Sequence, residues 1–226
     1  SWFSPAPGIR MRYWNAGHLL GSASIETEIE HQGKKPIRLL FSGGIGPDTK
    51  LLERDPEGPT DWDYVVCEST YGARDRLERS PEKRRELLAK ELKDAAARGG
   101  VMLIPSFAVE RTQEVVTDLV YVMDHKMAPQ TNIFIDSPLA SKATTIFRKH
   151  AEEMENGHDL AKAFASPFVR ATESVEDSKA LNRFKGFHII ISASGMAEAG
   201  RIRHHLRNRL WQKSTTVLLV GFQAKG

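Results

Sequence analysis

Val101-Met102-Leu103-Ile104-Pro105-Ser106-Phe107, with Val109, Val116, Leu119, Val120 and Met123 following at helical spacing, decides the fold class. Its first five residues are all apolar. Such a run suits a strand buried on both faces, as in a parallel sheet, and not a half-exposed hairpin strand. Ser106 then reads as the cap of a helix carrying the apolar stripe. The same unit recurs on either side. Asn132-Ile133-Phe134-Ile135-Asp136 is a strand, and Pro138 opens a helix running to about Met154. His188-Ile189-Ile190-Ile191-Ser192 is another strand, 199–210 a helix and 215–222 a last strand. Upstream, Ser80-Pro81 starts a helix with Leu88, Leu92, Ala95 and Ala96 as its stripe, and Gly99-Gly100 ends it. Residues 156–181 are polar and irregular in pattern. Alternating helices and apolar strands imply an α/β region whose mainly parallel sheet is covered on both faces.

The first third reads differently. In 23–30, Ile25, Thr27 and Ile29 share one face and acids the other, which predicts a half-exposed antiparallel strand. Gln32-Gly33 supplies a turn, 36–42 the next strand, and Gly43-Gly44-Ile45-Gly46-Pro47 breaks regular structure. Tyr64-Val65-Val66-Cys67-Glu68 reads as a short buried strand ending in an acid.

Composition bounds the function. The 226 residues are 40% hydrophobic and 27% charged, a globular and not a disordered balance. The net charge of +3 permits a nucleic-acid partner without arguing for one. Cys67 is the only cysteine, so neither a disulfide framework nor a cysteine-based zinc site forms within one chain, and a reducing, cytoplasmic setting fits best. No apolar run approaches the roughly 18 residues of a membrane helix. Ser1-Trp2-Phe3-Ser4-Pro5 opens no signal peptide, and the missing initiator Met suggests a start inside a longer chain.

Several segments could carry chemistry, each with a plainer reading beside it. In Asn15-Ala16-Gly17-His18-Leu19-Leu20-Gly21-Ser22-Ala23, His18 lies between glycines that allow close backbone approach. It is a candidate metal ligand, or else a hydrogen-bonded turn histidine. Phe41-Ser42-Gly43-Gly44-Ile45-Gly46 lacks the Gly-Lys-Ser/Thr ending of a phosphate loop. Glu68 could orient an imidazole, or cap a surface turn. Ser106 and Arg111 could contact phosphate at a helix start, or Arg111 could sit in a structural ion pair. Ile135-Asp136-Ser137-Pro138 and Ser192-Ala193-Ser194-Gly195-Met196 repeat that strand-to-helix turn along one sheet edge, the usual ligand crevice. Arg201, Arg203, Arg207, Arg209 and Lys213, with His204 and His205, form an acid-free run that could meet a nucleic-acid backbone or be a solvated helix face.

In order and at these distances, the segments resemble the β-CASP branch of the metallo-β-lactamase superfamily, nucleases that process RNA and DNA. The matching pieces are Ala16-Gly17-His18-Leu19-Leu20-Gly21-Ser22-Ala23, Glu68-Ser69-Thr70-Tyr71-Gly72, Pro105-Ser106-Phe107-Ala108-Val109 with Arg111-Thr112-Gln113-Glu114, Asp136-Ser137-Pro138-Leu139-Ala140, Ser194-Gly195-Met196, Gly200-Arg201 with His204-His205-Leu206, and Gly221-Phe222-Gln223-Ala224. The resemblance implies part of an αββα metallo-β-lactamase sandwich at 1–72 and an inserted β-CASP domain at 73–226. It implies two zinc ions that activate water against a phosphodiester, with RNA, or DNA, running between the domains. His18 would bind one zinc. Glu68 would orient a catalytic histidine. Ser106, Arg111, Ser192, Ser194 and Gly195 would face substrate. A homodimer is compatible with this family.

Three departures stand out. The family's His-x-His-x-Asp-His motif and its later metal histidine are absent, as expected of a chain cut from a longer one. Ser42-Gly43-Gly44 stands where the family has Ser-Gly-Asp, whose carboxylate bridges the metals; Asp48 is four residues further on. The leading expectation is therefore a zinc-dependent ribonuclease, here as a piece or a metal-site-impaired form. A non-catalytic RNA-binding or scaffold subunit is the alternative, favoured by Gly44. A nucleotide-binding α/β enzyme ranks last for want of a phosphate loop.

Overall fold

The computed structural model describes residues 1–47, 50–73 and 80–224. It divides into two compact units, Ser1–Arg79 and Ser80–Gly226. Asp48 lies outside the described residues.

The first unit is one sheet. Strands β1 (Phe3–Ala6), β2 (Ile9–Asn15), β3 (Ala23–Ile29) and β4 (Ile37–Phe41) form an antiparallel meander. Strand β5 (Tyr64–Val66) pairs parallel to β4 at the edge, with Leu39 opposite Tyr64. The alternation expected in β3 is present, but its acidic face is not solvated. Glu26 is fully buried. It accepts hydrogen bonds from Trp14 Nε1 at 2.7 Å and Arg38 Nη2 at 3.0 Å, and it pairs with Arg12. Arg12 in turn lies over the rings of Trp2 and Trp14, 4.5 and 4.4 Å from their centroids. Buried charge is tolerated because both oxygens accept from donors, two of them cationic. Burial alone would raise the Glu26 pKa, yet these donors hold it below the usual range.

Strand β5 overturns a second expectation. Tyr64, Val65 and Val66 are 62%, 52% and 56% exposed, not buried. It is an edge strand with one neighbour, and the described residues of this unit include no helix to cover it.

The second unit is the α/β region. Helix α1 (Pro81–Arg98) opens on Ser80, whose Oγ accepts from Lys83 N at 3.3 Å, and closes on Gly99 in the left-handed conformation. Next come β6 (Val101–Pro105), α2 (Arg111–Asp124), β7 (Ile133–Ile135) and α3 (Pro138–Lys149). Then follow α4 (Gly157–Phe164), β8 (Val169–Ala171), α5 (Val175–Ala180), β9 (His188–Ser192), α6 (Ile202–Arg209) and β10 (Thr216–Val217). The sheet order is β10-β6-β9-β7-β8, every pair parallel. Strand residues alternate between two apolar layers. Met102, Ile104, Ile189 and Ile191 pack with Leu92, Val116 and Leu119 on one face. Leu103, Phe134 and Ile190 pack with Leu181 and Ile202 on the other. Both faces are covered, as the unbroken apolar runs require.

Several boundaries differ from the sequence reading; the helix read at 199–210, for one, runs only Ile202–Arg209. Helix α2 starts at Arg111, with Glu110 as its cap residue and no side-chain cap, so Ser106 does not cap it. The helix from Pro138 stops at Lys149, and a short 3-10 turn, Ala151–Glu153, follows. The stretch 156–181 is not irregular: it holds α4, β8 and α5, each too short to show a period, with a Ser174–Asp177 capping box on α5. The last strand is only Thr216–Val217.

Candidate functional site

In the first unit the candidate residues meet where β2, β4 and β5 end. Ser22 Oγ accepts from the backbone N–H of both His18 and Leu19 at 3.1 Å, so the histidine turn is built by its own serine. Gly46 N donates to Ala16 O at 2.9 Å, which draws the 42–46 loop against that turn. A Cβ on Gly46 would fall 1.7 Å from the Gly17 carbonyl oxygen, so glycine is obligatory there. Gly44 is different. Its backbone is one that any residue adopts, and a Cβ there would lie 3.2 Å from His18 Cδ2 and 3.6 Å from Nε2. A side chain at 44 would therefore project beside the His18 imidazole, which is exposed.

Glu68 follows β5. Its Oε2 accepts from Thr70 N at 2.9 Å and Oε1 from Ile45 N at 3.3 Å. Hydrogen bonds from Thr70, then Ile45, hold its carboxyl below the usual range, with a smaller contribution from His18. Its own N–H donates to Ser42 Oγ at 3.0 Å, so β4 and β5 fix it from behind. Zinc needs three or four protein donors. Among the described residues, no group of three or more His, Cys, Asp or Glu gathers to hold a metal. His18 offers one imidazole and Gly44 no side-chain donor, so these residues alone do not make a zinc centre.

In the second unit the candidates lie along the carboxyl edge of the parallel sheet. Two of them point inward. Ser106 is 1% exposed, with its Oγ 3.2 Å from Thr112 Oγ1. Ser192 is also 1% exposed, and its hydroxyl donates to Asp136 O at 2.8 Å. Both hydroxyls close strand ends and do not face an open surface, contrary to the sequence reading. Arg111 is half-exposed and pairs with Glu114 at 2.9 Å, the structural ion pair held open above. Gly195 packs under Phe107, 2.7 Å from where a Cβ would stand, and its carbonyl accepts from Gln223 Nε2 at 2.9 Å. Ser194 is half-buried; its N–H donates to Ala199 O at 3.1 Å, closing the loop after β9.

Sequence reasoning missed what holds this edge together. Asp136 is fully buried at the end of β7. Its Oδ1 accepts from Thr172 Oγ1 at 2.6 Å and Arg201 Nη1 at 2.7 Å. Its Oδ2 meets Ser178 Oγ and His205 Nε2, each at 2.6 Å. Burial alone would raise its pKa, but these four partners, His205 foremost, hold it far below the usual range. Arg201 and His205 belong to the run offered above as a nucleic-acid contact or a solvated helix face. Instead they bind Asp136, and the buried Arg209 donates to Leu181 O at 2.6 Å. The available signal was an acid ending an all-apolar strand, a position where a carboxylate is buried and demands donors.

Comparison with known sequences identifies the class of this α/β chain as β-CASP. Residues 112–226 match the model of the Beta-Casp domain, and the chain belongs to that family. It is 34% identical over 224 residues to Ribonuclease TTHA0252 of Thermus thermophilus, covering 96% of this chain and 50% of that protein. It is 27% identical to Transcription termination factor FttA of Methanosarcina mazei, covering 98% of this chain and 35% of the relative. It is 28% identical to Endoribonuclease YSH1 of Kluyveromyces lactis, with 97% and 29% covered. The chain spans half or less of the length of these relatives.

Proposed function

We propose that this chain belongs to a zinc-dependent β-CASP ribonuclease that cleaves phosphodiester bonds in RNA. Family membership over residues 112–226 is the observation that carries the reading. The similarity to proteins named ribonuclease and endoribonuclease supports it. In this reading 1–72 is metallo-β-lactamase sandwich and 73–226 the β-CASP domain. His18 serves one of two zinc ions, with the remaining donors supplied from outside the described residues. Bound metal would supply a water ionised near neutral pH. Glu68, held ionised by Thr70 and Ile45, is suited to accept an imidazole N–H and keep that ring oriented. Ser194, Gly195 and Arg111 lie on the sheet edge as contacts for the RNA backbone, while Ser106 and Ser192 brace that edge from within. RNA is the proposed partner, ahead of DNA, and a homodimer is compatible. No helix of the described residues is long and apolar enough to cross a membrane. The lone Cys67, free and exposed, suits a cytoplasmic setting.

The full-length protein with labelled single-stranded RNA tests the reading. Cleavage that a chelator abolishes and zinc restores is expected. The 226-residue chain alone is expected to bind no stoichiometric pair of zinc ions and to leave RNA uncut. Gly44 favours a second reading, a non-catalytic RNA-binding subunit. Zinc-free full-length protein that binds RNA without cutting it would select that reading.

A further inference from the structure

The acid-free run on α6 has two faces. Ile202, His205 and Arg209 point inward, where His205 and Arg209 already have partners. Arg203 and Arg207 point outward and are exposed. Leu210 keeps a helical backbone (φ −60°, ψ −27°), and its N–H donates to Leu206 O at 2.8 Å. The helical phase therefore carries on to Trp211. Arg203, Arg207 and Trp211 are spaced four residues apart, on one face, at roughly 6 Å per step.

Trp211 is 77% exposed and Leu210 63%, the two most exposed large hydrophobic side chains of the described residues. Exposed Lys213 follows them. Between Ser178 and Ala224 the sequence has eight Lys and Arg but one acid, Glu198. The outward cations Arg203, Arg207 and Lys213 make no ion pair among the described residues. Nothing in the packing of the second unit accounts for an exposed indole among unpaired cations.

We propose that the outer face of α6, with Arg203, Arg207, Trp211 and Lys213, is a binding site for single-stranded RNA. One base stacks on the Trp211 indole, and the cations take the phosphates that precede or follow it. An aromatic face flanked by arginines is how sequence-tolerant single-strand binding is built. The site is separate from the edge described above. Helix α6 is the crossover from the carboxyl end of β9 to the amino end of β10, so Trp211 lies at the opposite end of the sheet from Ser194 and Gly195. RNA laid along α6 would run from that edge toward the far end. The site rests on the ribonuclease reading for its ligand, and the surface chemistry selects single strands.

Binding of a fluorescein-labelled 15-nucleotide oligouridine to the full-length protein, followed by anisotropy across a salt series, tests the site. Trp211→Ala should weaken binding roughly 5- to 160-fold, while Trp211→Phe keeps most of it. Arg203→Gln with Arg207→Gln should lower the slope of log affinity against log salt by about 1.4, two single-strand phosphate contacts. All three changes are at the surface, and unaltered thermal melting verifies the fold. Wild-type binding that none of them alters would overturn the site and leave the ribonuclease reading standing. No oligouridine binding by the wild type would overturn both. Unchanged RNA binding with a shift in sedimentation of the Trp211→Ala form would identify a protein contact instead, and would also overturn it.

Discussion

Asp136 keeps its negative charge where no water reaches it. Four donors from three separate segments converge on its carboxylate: Thr172, Ser178, and both Arg201 and His205. Removing one partner of a buried charge network leaves the others unpaired, typically at about 3–5 kcal/mol. Asp136→Asn is expected to lose stability in that range in urea titrations at pH 7, with the Ser192–Gly200 loop loosened as its anchor Arg201 is released. The pH dependence has a fixed sign. The folded pKa of Asp136 is below the unfolded value of about 3.9. Its contribution is therefore complete above that pH and is lost progressively as pH falls from there toward the much lower folded value. The stability gap between wild type and Asp136→Asn should be constant from pH 5 to 7 and narrow progressively below about pH 4. A gap that widened in acid would contradict the assignment of the charge.

Helix α6 shows what a run of like residues conceals. Its cations look equivalent in the sequence, yet the helical period sorts them into inner and outer sets. Arg209 is buried and donates to a carbonyl at 2.6 Å, whereas Arg207 is solvent-exposed. A hydrogen bond made by a charged group contributes about 1.5–3 kcal/mol, and surface truncations usually stay within about 0.5 kcal/mol. Arg209→Ala should lower thermal stability accordingly, while Arg207→Ala leaves the melt unchanged. Equal melts for the two would show that the inner set is not structural. Elements with unbroken apolar runs or with caps were legible beforehand: β6, β7 and β9 from their apolar runs, α1 from Ser80-Pro81 and Gly99. Strand β5 was misread because an apolar run records the capacity to be buried, not the presence of a covering element. Elements α4, β8 and α5 were missed because eight residues or fewer show barely two turns of periodicity.

At the scale of the molecule, the order of motifs along the chain pointed to the family, and the Beta-Casp domain match agrees with it. The parallel sheet with both faces covered was likewise legible. What stayed hidden was direction: which hydroxyls and cations turn inward is fixed by tertiary partners such as Asp136 and Leu181, far away in sequence. Gly44 is the converse, a local departure whose meaning emerges only from space. A Cβ at that position faces the His18 ring, and the backbone there does not require glycine. If the first unit carries a metal centre, a carboxylate at 44 would share His18's metal, and its loss leaves that centre short of charge compensation. The most direct measurement is zinc content and RNA cleavage of the full-length protein as Gly44→Asp beside Gly44→Ala. The account predicts that the aspartate form gains bound zinc and cleaves faster than wild type, while the alanine form gains neither. An aspartate form with unchanged zinc and unchanged cleavage would contradict it.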